Sequence, residues 1–252
     1  MERINVIGVE IYDGDIPLFY SKEILSLEKQ KELNKCISFT GAHGIIESKK
    51  NKHFLHILKL FYLNLPDGMP VVWVAKLKGA KRIKRCPGPQ AFEYILKKSS
   101  ETNLTHFFCG GKPTVAKKLK ESCEIRFNNS NIVGTYTPPF VDVDDFNYEK
   151  IGNIITKKNP DIIWIGISTP KQEIFAYNLS KYTKVKFLIT VGAAFDFHTS
   201  SIKVAPKWMQ NNGLEWLYRL ISEPRRLWKR YLEIVPKFIF YGFKDILINK
   251  NK

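Results

Sequence analysis

The chain of 252 residues is long enough to bury a substantial core, and its hydrophobic share of 44% and charged share of 25% are ordinary for a folded protein. Its formal net charge of +16 predicts an anionic partner: nucleic acid, acidic lipid headgroups or a phosphorylated substrate. No apolar run approaches the roughly 20 residues of a transmembrane helix, and the first residues do not resemble a signal peptide. The cysteines are widely spaced, which argues against a zinc site or a disulfide framework and favours a reducing cytoplasm.

Strand and helix patterns alternate through most of the chain. The predicted strands cover residues 4–11, 36–39, 105–109, 132–136, 162–166 and 187–191. The predicted helices cover residues 25–33, 52–61, about 69–79, a segment opened by residues 87–89, a segment from 114, residues 148–157 and a segment opened by residues 168–173. Continuously apolar strands that alternate with helices predict an α/β fold, with a mainly parallel sheet covered by helices on both faces.

The character of the chain changes at about residue 202. The remaining residues are rich in Trp, Tyr, Arg and Lys and look helical, with Pro206, Pro224 and Pro236 predicted to mark breaks. We therefore predict an α/β domain over residues 1–201 and a basic helical appendage over residues 202–252. Interleaved aromatic and basic residues suit a membrane interface, a clamp on a diphosphate, or nucleic acid, and composition alone does not separate these three.

An Asp-Gly pair flanked by Pro66 predicts a tight turn that carries Asp67. Backbone geometry can hold a carboxylate on such a turn so that it faces a cleft. Asp67 is therefore the first candidate for an acid or a base. The alternative is a structural role as a turn former or helix N-cap.

Two small-residue segments follow predicted strands, where open α/β sheets present their ligands. The first is a predicted loop over residues 40–44, which carries Thr40 and His43; His43 is either catalytic or structural. The second is Gly110-Gly111-Lys112-Pro113, which is either an anion site made of backbone N–H groups and a helix N-terminus, or a plain strand-to-helix turn.

Three further segments carry polar side chains. Gln172, at a predicted helix start, can bind a phosphate or a sugar hydroxyl, or can belong to an ordinary capped helix. Asp196 follows the last strand and can accept hydrogen bonds from a base or ribose. The run Asp142-Val143-Asp144-Asp145 contains an Asp-x-Asp that suits a divalent metal ion, but helix capping explains it well.

The order of these motifs resembles that of the WecG/TagA/CpsF glycosyltransferases (glycosyltransferase family 26), from about Thr40 to Tyr231. The segments that carry the resemblance are Pro66-Asp67-Gly68, Gly110-Gly111-Lys112-Pro113, Pro170-Lys171-Gln172-Glu173, Gly192-Ala193-Ala194-Phe195-Asp196-Phe197, Ala205-Pro206-Lys207-Trp208 and residues 213–226. The resemblance implies a Rossmann-like domain that binds a UDP-sugar. It also implies inverting transfer, without a metal ion or other cofactor, to a sugar carried on a polyprenyl diphosphate in bacterial surface-polymer assembly.

The resemblance also implies roles for individual residues. It makes Asp67 the catalytic base and places Thr40 close to it. Gln172 is expected near the diphosphate, and Arg219 and Arg226 are expected to close over the site when the protein meets the membrane.

Two positions depart from the family pattern. The family often has Thr-x-Asn where this chain has Thr40-Gly41-Ala42-His43-Gly44, which makes His43 a candidate specificity residue. A position that is usually Arg is Lys229 here, which keeps the charge but lacks the bidentate fork.

The expected partners are therefore a UDP-sugar, a lipid-linked acceptor and an anionic membrane surface on the inner face of the bacterial cell membrane, without nucleic acid. The donor sugar (N-acetylmannosamine, its uronic acid or glucose), the acceptor and any homo-oligomer stay open. The alternatives are a nucleic-acid-binding protein, supported by the charge, and an inactive family member that acts as an assembly partner.

Overall fold

A computed structural model of the protein describes residues 2–26, 32–111, 114–192, 194–195 and 205–250. Its strands are β1 Arg3–Val6, β2 Val9–Tyr12, β3 Lys35–Thr40, β4 Leu63–Pro66, β5 His106–Gly110, β6 Ile132–Tyr136, β7 Ile162–Gly166 and β8 Phe187–Thr190. Strands β3 to β8 form one six-stranded sheet in the order β4-β3-β8-β7-β5-β6, and every neighbouring pair is parallel. This confirms the predicted α/β fold.

Helices cover both faces of this sheet. The helices of the described residues are α1 Ile16–Phe19, α2 Ala42–Lys50, α3 Lys52–Leu60, α4 Met69–Leu77, α5 Gly88–Ser99, α6 Val115–Phe127, α7 Tyr148–Thr156, α8 Lys171–Leu179, α9 Lys207–Asn211, α10 Glu215–Ser222 and α11 Pro224–Lys250. Shorter turns are the π-helical Tyr20–Ile24 and the 3-10 helices Val143–Asp145 and Ser180–Tyr182.

Side chains that alternate along each strand build a core on each face of the sheet. Phe108 and Trp164 pack toward α5 and α6, while Phe107 and Ile163 pack toward α7 and α8. All four are essentially inaccessible to solvent. The strands are continuously apolar because both of their faces are buried.

The predicted first strand over residues 4–11 is wrong. This segment folds as an antiparallel hairpin, β1 and β2, that stands apart from the parallel sheet. Ile7 and Gly8 take left-handed backbone angles, with φ of 53° and 93°. Two consecutive residues of that kind form the tight turn that reverses a strand.

Two neighbouring elements also differ from the sequence prediction. The loop predicted over residues 40–44 is shorter, because α2 begins at Ala42 and takes His43 and Gly44 into its first turn. The apolar residues before Asp67 form β4, an edge strand that the sequence analysis did not assign. A proline can end such a strand, as Pro66 does here, because an edge strand leaves some N–H groups without a ladder partner.

The predicted helix over residues 25–33 lies mostly outside the described residues, as does the predicted domain boundary at residues 201 and 202. The appendage is helical from Lys207 onward, as expected. Pro236, however, does not break it, because α11 continues through this residue for a total of 27 residues. Ile234 and Phe238, on either side of Pro236, are buried in a core shared with α2 and α4, and this packing stabilises the helix across the proline.

Candidate active site

The carboxyl ends of the parallel strands meet at one edge of the sheet, and several of the predicted site residues lie there. Thr40, at the end of β3, pairs in register with Pro66 at the end of β4. Asp67 follows directly, and its N–H donates to the Thr40 carbonyl over 3.3 Å. The fold thus places Thr40 and Asp67 side by side, while their roles in catalysis stay predictions.

The Asp67 carboxylate faces the amino end of α5. The Gly88 N–H donates to Asp67 Oδ1 over 3.2 Å. The alternative prediction of an N-cap is wrong, because Gly68 is the N-cap of α4 and no described side chain caps that helix. A β-carbon at Gly41 would lie 3.6 Å from Asp67 Oδ2, an ordinary van der Waals distance, so Gly41 packs directly beside the carboxylate.

The surroundings of Asp67 make its carboxylate more basic. Burial raises the pKa of Asp67 to about 6, and the Glu215 carboxylate adds to this rise. Three groups oppose the rise: first the Arg85 guanidinium, then the Gly88 N–H and Arg219. At neutral pH the group is mainly ionised and can still accept a proton. A carboxylate with these properties suits general base catalysis.

The Thr40 hydroxyl belongs to a buried hydrogen-bonded chain. Thr40 Oγ1 lies 2.5 Å from Ser38 Oγ, and Ser38 Oγ donates to Asn64 Oδ1 over 2.8 Å. A serine hydroxyl has a single proton, so Thr40 is the donor to Ser38. The Thr40 oxygen therefore keeps its capacity to accept a hydrogen bond at the sheet edge.

Gln172 is buried, and protein groups occupy its amide. Its Nε2 donates to Thr169 Oγ1 over 3.1 Å and to Glu173 Oε1 over 2.8 Å, and its Oε1 accepts from the Gly192 N–H over 2.9 Å. Gln172 thus links the start of α8 to the end of β8. The predicted contact with a diphosphate stays a prediction.

Glu173 is a candidate that the sequence analysis did not single out, although it ends the Pro-Lys-Gln-Glu motif. Its side chain is 2% exposed, and its Oε2 has no hydrogen-bond partner within the described part of the chain. Burial raises the pKa of Glu173 to about 7, against hydrogen bonds from Gln172 and Thr169 that favour the ionised form. Such a carboxyl exchanges its proton near neutral pH.

Gly110, at the end of β5, is required by the close approach of β7. Gly110 has φ of +140°, and a β-carbon there would lie 2.4 Å from the Gly166 carbonyl oxygen. The Gly111 N–H donates to that same oxygen over 3.0 Å. It is therefore engaged within the protein, and the predicted anion-binding role of both glycines stays untested. Lys112 and Asp196, the other predicted binding residues of these loops, lie outside the described residues.

His43 lies in the first turn of α2, with its Nε2 3.8 Å from Glu47 Oε1. Burial lowers the pKa of His43 to about 4; Arg230 acts in the same direction, and Glu47 opposes it. The imidazole is therefore neutral at physiological pH, so its contact with Glu47 is not an ion pair. Its role in specificity stays a prediction.

The three cations predicted in the appendage have different surroundings. Arg219, on α10, is near enough to Asp67 to favour its ionised form, and its buried Nε has no partner among the residues described. Arg226 is exposed and lies 2.5 Å from Glu223. Lys229 is also exposed, with its Nζ 5.5 Å from the centre of the Trp228 ring. The structure thus brings only the first of the three to Asp67.

Arg85 and Glu215 also belong to this site, although the sequence analysis did not select them. Arg85 Nε donates to the Asp67 carbonyl over 3.0 Å, and Arg85 Nη2 donates to the Glu215 carboxylate. Arg85 is one of four cations in a basic segment over residues 81–85. The sequence does offer one indication of Glu215, since it is one of the few acidic residues in the basic appendage.

The Asp-x-Asp run lies on the surface. Asp142, Asp144 and Asp145 are exposed, and the following helix is instead capped by Asn147, whose side chain accepts from the Lys150 N–H over 2.9 Å. Across the residues that the structure describes, no three His, Cys, Asp or Glu side chains are grouped as potential metal ligands.

Comparison with known proteins gives a consistent result. The sequence profile of the glycosyl transferase WecG/TagA/CpsF family matches residues 4–252. An N-acetylglucosaminyldiphosphoundecaprenol N-acetyl-beta-D-mannosaminyltransferase of Bacillus subtilis (strain 168) is 30% identical over 222 residues, which cover 88% of this chain and 83% of the relative. A protein of the same description from Bacillus spizizenii (strain ATCC 23059 / NRRL B-14472 / W23) is 28% identical over 193 residues, which cover 77% of this chain and 72% of the relative. The chain therefore belongs to the WecG/TagA/CpsF family of glycosyltransferases.

Proposed function

We propose that this glycosyltransferase moves a sugar from a UDP-sugar to a sugar carried on a polyprenyl diphosphate, with inversion and without a metal ion. The acceptor class is supported by the two Bacillus relatives, whose descriptions name N-acetylglucosaminyldiphosphoundecaprenol. The same descriptions favour an N-acetylmannosaminyl donor over the uronic acid or glucose type. The product would be a lipid-linked intermediate of a bacterial surface polymer.

The position of Asp67 carries this proposal. Its carboxylate lies beside Thr40, at the edge of the sheet where open α/β folds generally bind their ligands, and its pKa of about 6 suits a base that works at neutral pH. The nearby guanidinium groups of Arg85 and Arg219 are cationic donors of the kind that bind an anionic substrate.

In the proposed reaction the acceptor hydroxyl oxygen attacks the anomeric carbon of the donor sugar. As that bond forms, Asp67 takes the hydroxyl proton. The bond between the anomeric carbon and the diphosphate oxygen breaks, and its electron pair leaves with UDP. One displacement of this kind inverts the anomeric centre.

The leaving diphosphate gains negative charge in the transition state, and preorganised cations can stabilise it. Arg219 is suited to this task because its buried Nε has no partner among the described side chains and backbone groups. Arg85 adds a second positive charge beside Asp67, while its nitrogens donate to the Asp67 and Gln210 carbonyls and to the Glu215 carboxylate. These cations are the groups that we propose in place of a metal ion.

The proposal includes a peripheral position on the inner face of the bacterial membrane, where a lipid-linked acceptor is reached. None of the described helices is both long enough and apolar enough to cross a bilayer. The outer face of α11, however, exposes a row of large apolar side chains at helical spacing. They are Leu232, Ile239, Phe240, Phe243, Leu247 and Ile248. A helix with such a face and a basic sequence is suited to an anionic membrane surface.

The decisive variant is Asp67→Asn, which keeps the size of the side chain and removes its basicity. We expect the variant to keep its thermal shift with UDP and to lose transfer by at least about a hundredfold. Transfer would be measured with UDP-N-acetylmannosamine and a short-chain lipid-diphosphate N-acetylglucosamine.

The control is Asp142→Asn, which changes an exposed aspartate that is not among the groups acting on Asp67 and is expected to leave transfer unchanged. Near-normal turnover of Asp67→Asn would remove Asp67 from the role of base. Wild-type protein that transfers no sugar from any UDP-sugar would instead favour the alternative of an inactive assembly partner.

A further inference from the structure

One arginine joins the turn that carries Asp67 to two helices of the appendage. Arg85 Nε donates to the Asp67 carbonyl over 3.0 Å, and Arg85 Nη1 donates to the Gln210 carbonyl, at the end of α9, over 3.4 Å. Arg85 Nη2 donates to the carboxylate of Glu215, the first residue of α10. A single planar guanidinium thus connects the turn that carries Asp67 to both α9 and α10.

The ion pair at the centre of this connection is partly shielded from water. The side chains of Arg85 and Glu215 are 16% and 28% exposed. Charges in such a position interact more strongly than an exposed pair, and removal of one partner leaves the other without compensation. Around the pair, Gln90 donates to the Gln210 side chain over 3.1 Å. A β-carbon at Gly213 would lie 2.6 Å from the Trp73 ring, so the appendage approaches α4 closely at this point.

Glu215 also adjusts the electrostatic surroundings of Asp67. The groups that act on the Asp67 carboxylate are Arg85, Glu215, the Gly88 N–H and Arg219, and the Cys86 thiol is also close. Burial keeps that thiol neutral by raising the pKa of Cys86. Glu215 is therefore the negative group among these that raises the pKa of Asp67 and balances the two arginines.

We propose that Glu215 is a positioning residue for Asp67: through Arg85 it holds α9 and α10 against the turn that carries Asp67, and this contact fixes the position of the base. This inference rests on the proposed role of Asp67 as the base. It explains why a basic appendage places an acidic residue at this position. Each of the other acidic residues of the appendage, Glu223, Glu233 and Asp245, likewise lies within ion-pair distance of a cation.

The variant Glu215→Gln keeps the shape of the side chain and removes its charge. We expect faster hydrogen exchange in residues 205–222, and a fall in kcat of about tenfold to a hundredfold because a displaced base is a poor catalyst. The acidic limb of the pH–rate profile should move to lower pH, since removal of a negative neighbour makes Asp67 easier to ionise.

The matched control is Glu233→Gln. Glu233 also joins the appendage to the α/β domain, through Lys50 at 2.7 Å, but it is not among the groups that act on Asp67. We expect this control to keep the wild-type kcat and the wild-type acidic limb.

The proposal would be overturned if residues 205–222 of Glu215→Gln exchanged hydrogen at the wild-type rate. It would also be overturned if exchange were faster but the acidic limb of the pH–rate profile stayed at its wild-type position. A failure of the proposed function is recognised separately. In that case Asp67→Asn keeps its turnover, while the exchange data on Glu215→Gln still report whether the Arg85 contact docks the appendage.

Discussion

Asp67 and Glu173 are carboxyls whose surroundings disfavour the ionised form. Burial raises the pKa of Asp67 to about 6 and that of Glu173 to about 7. In the unfolded chain both carboxyls have a pKa of about 4. Between about pH 4 and their higher pKa values in the folded protein, the folded state therefore binds more protons than the unfolded state. The contribution of these two carboxyls to the free energy of unfolding is fully present below about pH 4, and it is lost as the pH rises through 6 and 7. The site thus keeps its basic carboxylate at the expense of stability at neutral pH.

The variant Glu173→Gln tests this relation for the more deeply buried group. We expect its melting temperature, relative to wild type, to increase from pH 5 to pH 8, because the variant has no carboxyl that must ionise in the core. Calorimetric scans at each pH measure the effect. Glu149→Gln, at an exposed position on α7, is the control and should show no such trend. A difference between Glu173→Gln and wild type that is the same at every pH would contradict the argument.

At the scale of elements, the candidate site depends on how closely parallel strands approach at their carboxyl ends. Gly110 lies opposite Gly166 in the β5–β7 ladder, and its left-handed backbone carries the chain toward α6. Gly88 allows a similar approach, because a β-carbon there would lie 3.0 Å from the Val191 carbonyl oxygen. These contacts keep the start of α5 close to both Asp67 and the end of β8.

The pair Gly110→Ala and Gly79→Ala separates steric contact from backbone strain. Both glycines have positive φ, but a β-carbon at Gly79 meets nothing within 4 Å, whereas one at Gly110 meets backbone at 2.4 Å. We expect Gly79→Ala to lower the free energy of unfolding by about 1–3 kcal/mol from strain alone. Gly110→Ala should lower it further, since two backbone segments must move apart. Urea titrations measure both, and equal losses would show that the contact with β7 does not require glycine.

At the scale of the whole molecule, the appendage is joined to the α/β domain by both apolar and ionic contacts. Ile234 and Phe238 complete a core with α2 and α4. Asp245 Oδ2, on the appendage, lies 2.7 Å from Lys78 Nζ of the α/β domain. The same oxygen accepts a hydrogen bond from the Ile7 N–H over 2.7 Å. The inner face of α11 is therefore part of the fold, and its exposed apolar face is the surface that we propose for membrane contact.

The double variant Phe240→Ser, Phe243→Ser tests the proposed membrane surface. We expect it to fold normally and to lose most of its sedimentation with anionic vesicles, because it removes two large apolar side chains that are 65% and 66% exposed. Ile125→Ser, at an 83% exposed position on α6, is the matched control. Wild-type binding should weaken with salt, as expected for a chain with a net charge of +16. Equal vesicle binding by the double variant and the wild type would contradict the assignment of this face.

The sequence by itself determined the features that depend on local patterns. Apolar runs of strand length located five of the six strands of the parallel sheet, and Pro66-Asp67-Gly68 marked the turn at the end of the edge strand that was not assigned. The order of the motifs along the chain indicated the family. These features follow from hydrophobic periodicity and turn chemistry, which a short window of residues contains.

Only the tertiary structure decided the surroundings of the candidate base. Arg85 and Glu215 are 130 residues apart, and no local pattern links a cation of the basic segment to an acid of the appendage. Burial decided the pKa of Asp67 and of Glu173, and the sequence does not show which carboxyls the packed elements enclose. The physical reason is that desolvation and ion pairing depend on distance in space, and the chain brings these groups together only when α10 packs beside the turn that carries Asp67.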